Sequence, residues 1–127
     1  MNRPIKLKSK VHHDKRGYLI ETLSKKKYLN VKFSLLTMSK KNVFRGLHYQ
    51  KFYSQAKLIF LAKGKIIDYC LDIRKKSKNY GKLYKFNLNK NESLFIPKGF
   101  AHGYKSLDQE NILMYYMDNV RYKKYES

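Results

Sequence analysis

Three segments of this 127-residue chain carry side chains able to move a proton. Arg45-Gly46-Leu47-His48-Tyr49-Gln50 brings a cation, a glycine and an imidazole close together. Ile96-Pro97-Lys98-Gly99-Phe100-Ala101-His102-Gly103-Tyr104 adds a second histidine, and Ser54-Gln55-Ala56-Lys57-Leu58-Ile59-Phe60 a lysine. An imidazole titrates near neutrality, so it can take a proton from carbon and later surrender it. A buried strand lysine costs desolvation unless an anion offsets it, and a developing enolate oxygen would be such an anion. Plainer roles exist at each position. A strand histidine is often a hydrogen-bonded core residue, and a strand lysine can carry its charge out to a sheet edge. Together with a tyrosine downstream, these groups predict one site that moves a proton on and off a carbon atom.

Such a site needs strands to hold it. In a regular strand Arg45 and His48 would face opposite ways, but Gly46 permits a bulge that re-aims one of them. Pro97 ends a short strand and Gly99 allows a tight turn, which aims His102. Elsewhere the pattern alternates. Strand-like runs cover Tyr18–Thr22, a stretch from Val31, Val43–Gln50, Ala56–Ala62, Lys65–Ile73, Lys82–Leu88, Ser93–Ile96 and Ile112–Met117. Lys63-Gly64 is a hairpin signal, and Asp14–Gly17 and Asn89–Glu92 read as turns. The basic lead-in through His13 alternates weakly at Ile5 and Leu7, as an edge strand would. Ser24–Asn30 reads as a short helical turn or loop, and Lys51–Ser54 as a loop. Roughly eight to ten short strands without a long helix predict an all-β sandwich or barrel, in one domain over residues 1–127.

The composition narrows the partners. A formal net charge of +20 invites a nucleic-acid reading. The lysines are scattered along the whole chain, however, and no nucleic-acid-binding motif surrounds them. They read as a solvated surface whose summed field attracts a small anion, with no nucleic-acid partner. Cys70 is the single cysteine and lies in an apolar strand, so it reads as a buried thiol. The N-terminus lacks the apolar core of a signal peptide, and the run Leu58–Ala62 is far too short to span a membrane. A cytoplasmic protein with no membrane partner is expected. His12 and His13 are adjacent and would point to opposite strand faces, which disfavours a metal pair. Gln50, two residues after His48, and the lack of a glutamate at metal-ligand spacing also argue against metal.

These segments, with Asp72-Ile73-Arg74-Lys75-Lys76-Ser77 and Tyr80-Gly81, stand in the same order and spacing as in the dTDP-4-dehydrorhamnose 3,5-epimerase family. The resemblance starts at Asp14-Lys15-Arg16-Gly17 and runs nearly to the end of the chain. It implies a cupin-type jelly roll (a double-stranded β-helix), a homodimer, and a nucleotide-linked 4-keto-6-deoxy sugar as substrate. It also implies no metal or organic cofactor, and a place in deoxysugar and surface-polysaccharide biosynthesis. His48 matches the family's general base, Tyr115 the acid on the opposite face, and Lys57 the lysine near the C4 oxygen. Arg16, Glu21, Arg45, Gln50 and His102 match substrate-binding positions, Arg45 suiting the diphosphate. Tyr116 would point away from Tyr115, and spacing from His102 selects Tyr115.

The sequence departs from the family pattern in two places. Phe33 and Leu35 stand where the family has Gln and Asn that contact substrate, which predicts a drier wall. The sequence also ends at Ser127, whereas the family continues with a segment whose acidic residue supports the catalytic histidine. The expectation here is that Asp68 or Asp72 takes that part, or that the base is weakened. The family's base-stacking aromatic falls near Arg121 or Tyr122. Two alternatives stay open: a weakened or inactive sugar-nucleotide-binding homologue, and a related ketoisomerase.

Overall fold

A computed structural model of the chain describes residues 3–23, 29–50 and 55–119. Among the described residues it contains eleven strands and no helix. In chain order they are β1 (Ile5–Lys8), β2 (Val11–Asp14), β3 (Gly17–Ile20), β4 (Phe33–Lys40), β5 (Phe44–His48) and β6 (Lys57–Lys63). There follow β7 (Lys65–Asp72), β8 (Leu83–Asn89), β9 (Glu92–Ile96), β10 (Phe100–Ser106) and β11 (Glu110–Met117). A five-stranded sheet runs β1-β9-β6-β11-β4, and a four-stranded sheet runs β5-β10-β7-β8. The hairpin β2-β3 makes a separate two-stranded sheet. Every pairing is antiparallel.

Alternation explains the layering. Along β7, Ile66, Asp68, Cys70 and Asp72 are buried while their neighbours are not, so one face of the strand points into the sandwich. Ile59 and Leu61 of β6, Leu94 and Ile96 of β9 and Leu113 of β11 meet that face from the other sheet. Burying each such side chain contributes about 1.5–3 kcal/mol. A second cluster, Leu29, Ala56, Leu58 and Phe95, lies on the outward side of the five-stranded sheet. The result is a cupin-type jelly roll, two facing antiparallel sheets with one core between them.

Gly64 makes the expected turn between β6 and β7 with φ +95°, and Asn91 with φ 71° turns β8 into β9. The weak alternation at Ile5 and Leu7 is an edge strand, paired to β9. Residues 100–106, read from sequence only as the exit of a turn, form a strand in the middle of the smaller sheet. His102 therefore sits within a ladder, not on a loop. Cys70 is buried as expected, and burial followed by the Asp68 charge pushes its thiol far above the ordinary value. The expected turn within residues 24–28, the loop at 51–54 and the stacking position at 121–122 lie outside the described residues. Among the described residues no helix is long and apolar enough to cross a membrane.

Candidate active site

A cleft of about 550 Å³ is lined by residues of both large sheets. Its reactive lining comes from both sides. β5 supplies Arg45 and His48, and β10 supplies His102. From the other sheet come Lys57 of β6 and Tyr115 of β11. Gln50 lines the cleft as well.

Local backbone irregularity brings Arg45 and His48 to the same side. Between β10 and β5 the register slips: His102 faces His48, but Tyr104 faces Arg45. Two steps on one strand thus match three on the other, which is a bulge on β5. Gly46 sits in it with φ +120°, and a Cβ there would lie 2.6 Å from the Gly103 Cα. The two strands approach this closely because both positions are glycine. His48 stays exposed at the mouth. Arg45 is steadied from β4: its Nε donates to Ser39 Oγ at 2.7 Å and its Nη2 to the Met38 carbonyl at 3.2 Å.

His102 is 3% exposed, and its Nε2 lies 2.7 Å from Asp68 Oδ2. The other carboxylate oxygen accepts the Cys70 thiol at 3.4 Å. The imidazole is thereby fixed in orientation, with its ring edge-on to Tyr115 at 6.2 Å between centroids. Burial, first, and then the neighbouring Tyr104 and Asp68 push the Tyr115 phenol above its ordinary range, while hydrogen bonding from Thr37 opposes them. Tyr116 faces the other way, its hydroxyl 2.6 Å from Thr22 Oγ1. Spacing thus chose the tyrosine that enters the cleft.

The arrangement can remove a proton at the mouth, hold negative charge near Lys57 and offer a proton from the far sheet. A profile described as dTDP-4-dehydrorhamnose 3,5-epimerase matches residues 2–127. The chain belongs to this family. A Methanothermobacter thermautotrophicus dTDP-4-dehydrorhamnose 3,5-epimerase is 35% identical over 129 residues, covering 95% of this chain and 70% of that protein. The Shigella flexneri enzyme of the same name is 38% identical over 127 residues, covering 92% and 70%. The Sulfolobus tokodaii epimerase superposes with a TM-score of 0.90 at 38% identity, over 97% of this chain and 74% of that one. The Legionella pneumophila dTDP-6-deoxy-D-glucose-3,5-epimerase, solved with dTDP-4-keto-L-rhamnose, gives 0.91 at 29% identity, over 97% and 70%. The chain thus spans about 70% of the length of these relatives.

Against the epimerase pattern, several residues fall differently from expectation. Phe33 and Leu35 do line the cleft, as expected, and make its β4 wall apolar beside Thr37. Arg16 and Glu21 are not brought there. Arg16 is exposed in the β2-β3 turn, its Nη2 2.7 Å from Asp14 Oδ2. Glu21 borders a separate groove of about 280 Å³ with Lys10, His12 and Ser93. The expectation that Asp68 or Asp72 backs His48 is not met either. Asp68 is committed to His102, and Asp72 accepts from Arg74 and Ser77 in the turn after β7. Among the described residues no group of three or more His, Cys, Asp or Glu side chains is placed to hold a metal ion.

Sequence reasoning missed the Asp68–His102 pair and the cleft roles of Thr37 and Gln55. One signal was present: Asp68 falls in phase with Ile66 and Cys70, and a carboxylate on a buried strand face needs a partner.

Proposed function

We propose that the cleft inverts carbon centres beside the C4 ketone of a dTDP-linked 4-keto-6-deoxy sugar. The ketone acidifies the neighbouring C–H bonds. His48 takes one such hydrogen as a proton, and the bonding pair moves into an enolate whose charge gathers on the C4 oxygen. Lys57 stabilises that oxygen electrostatically. Tyr115 then delivers its phenolic proton to the same carbon from the opposite side, leaving a phenolate and a protonated His48, which exchange with solvent to reset the site. Arg45 takes the diphosphate, and His102 and Gln50 contact the sugar. The observation that carries this reading is that base and acid belong to facing sheets, β5 and β11, and line one cleft with Lys57. A sugar ring between them meets base and acid on its two faces.

Turnover of dTDP-4-keto-6-deoxyglucose in deuterated water tests it. The wild-type chain should place deuterium at C3, C5 or both with inversion. Replacing His48 by Asn should lower exchange by about 10²–10⁴-fold while dTDP still binds. Binding without any exchange would identify a sugar-nucleotide-binding protein instead, and a displaced carbonyl would identify a ketoisomerase.

The reading extends to a homodimer. The β2-β3 hairpin pairs with neither large sheet and exposes Tyr18 and Leu19, and β4 exposes Leu36 and Met38 on its outward side. A second copy covering these surfaces would receive Arg16 and Glu21 at its own cleft. Mixing His48→Asn protomers with Arg16→Ala protomers should then restore activity, because one site of each mixed dimer keeps both residues. Failure of the mixture to regain activity would return Arg16 to a purely local role.

A further inference from the structure

Behind the cleft, β4 and β10 share a line of hydroxyl groups that the proposed reaction does not use. Tyr104 is 1% exposed, and its hydroxyl lies 2.9 Å from Thr37 Oγ1 and 2.9 Å from Ser39 Oγ. Ser39 Oγ also accepts the Arg45 Nε–H at 2.7 Å. Arg45 and Thr37 line the cleft, whereas Ser39 and Tyr104 are buried. Along β4, Thr37 stands two residues from Leu35, which is the direct ladder partner of Tyr115. Its hydroxyl is therefore the diagonal neighbour of the phenol on one sheet face. The chain of oxygens runs from a cation on the cleft wall, through the core, to the side of Tyr115.

The hydrogens along it can be ordered. A guanidinium only donates, so Ser39 must accept from Arg45. Ser39 is then free to donate to Tyr104, Tyr104 to Thr37, and Thr37 onward to Tyr115. Each oxygen accepts on one side and donates on the other, an order in which successive bonds reinforce one another. When Tyr115 protonates carbon, a phenolate is left in a mostly buried place, where charge is disfavoured. A donor already aimed at that oxygen offsets part of the cost. Thr37 acts on the phenol in this sense, while Tyr104 itself pushes the phenol the other way, so the stabilising donor is Thr37 and Tyr104 acts by orienting it. A phenylalanine would fill the core at position 104 without two hydrogen-bond partners to satisfy.

We propose that Tyr104 and Thr37 are positioning residues for Tyr115, the Arg45–Ser39–Tyr104–Thr37 chain aiming the Thr37 hydroxyl at the phenol, where Thr37 stabilises the phenolate it becomes. The kinetic part rests on Tyr115 being the acid, so the experiment has one arm independent of turnover. In the full chain labelled with [13Cζ]tyrosine, the Tyr115 resonance is assigned by its loss in Tyr115→Phe. That resonance should move in Tyr104→Phe and in Thr37→Val, and move back in Thr37→Ser. In deuterated water, both disruptive variants should lower the ratio of inversion to exchange by about tenfold at unchanged KM. His48 would still remove the hydrogen and return deuterium to the same face. A wild-type resonance and a wild-type ratio in both Tyr104→Phe and Thr37→Val would overturn the proposal. Should Tyr104→Phe not fold, the Val and Ser variants at Thr37 decide it. Should the wild-type chain exchange no deuterium, the epimerase reading fails, and the resonance alone judges the hydroxyl chain.

Discussion

Strand β10 has two neighbours, and it pairs with them differently. Toward β7 the register is unbroken, from Phe100 opposite Asp72 to Ser106 opposite Ile66. Toward β5 it slips between His102 and Tyr104. The regular flank is buried and holds the His102–Asp68 pair in one orientation. The slipped flank leaves Arg45 and His48 exposed and turns both into the cleft. An unbroken ladder sends sequence neighbours to alternate faces, which suits a support. One extra residue breaks that alternation and gathers reactive groups on one side. Support and reactivity thus come from opposite edges of one strand.

Adding a methyl group to the slipped flank should have the largest effect. In Gly46→Ala the new Cβ would meet Gly103 Cα at 2.6 Å and the His102 carbonyl at 2.8 Å, with φ at +120°. Both obstacles are backbone, so β5 must move, and His48 with it. Misplacing a reacting group by an ångström costs about 10²-fold. Deuterium exchange should fall at least that far, while amide protection along β7 persists. Activity within tenfold of wild type would mean that the slip does not aim His48.

The regular flank should break differently. Asp68→Leu removes the carboxylate that meets both His102 Nε2 and the Cys70 thiol, all in the core. Deleting one member of a buried pair costs about 3 kcal/mol, measurable as a lower urea midpoint. Exchange should fall as well, because the imidazole loses its fixed orientation. A variant that loses activity at full stability would place Asp68 in the reaction and not in the support.

How much of this was legible beforehand follows the same division. Strand identity was readable wherever one face is buried, as along 65–72, because alternation and burial are one signal there. Gly46 announced the bulge, since a glycine in a strand marks a bend or a close approach. The strand at 100–106 was hidden: almost every one of its residues is buried, so it shows no alternation to read. Arg16 and Glu21 were matched by motif, but their placement depends on how a hairpin is arranged in space, which spacing does not encode. The Asp68–His102 contact joins residues 34 apart. Only the phase of Asp68 with its buried neighbours pointed to it.

The smallest expected effect lies where the regular flank ends. Asp72 is fully buried, and its Oδ1 accepts from the Arg74 amide at 2.9 Å and from Arg74 Nε at 3.0 Å. Its Oδ2 accepts from Arg74 Nη2 at 2.8 Å and from Ser77 Oγ at 2.9 Å. The Arg74 side chain above all holds this carboxyl down to about 2 from the ordinary 3.8, against burial, which pushes upward. Because the folded value is the lower one, the stabilisation is complete above the unfolded value and disappears as pH falls from about 4 toward 2. The difference corresponds to about 2 kcal/mol. Urea midpoints of wild type and Asp72→Asn, followed from pH 6 to pH 2, should converge as the solution is acidified. Curves that stay parallel would mean the turn after β7 is held by shape, not by charge. The regular flank would then owe its fixed register to packing alone, and the contrast with the slipped flank would lose its electrostatic half.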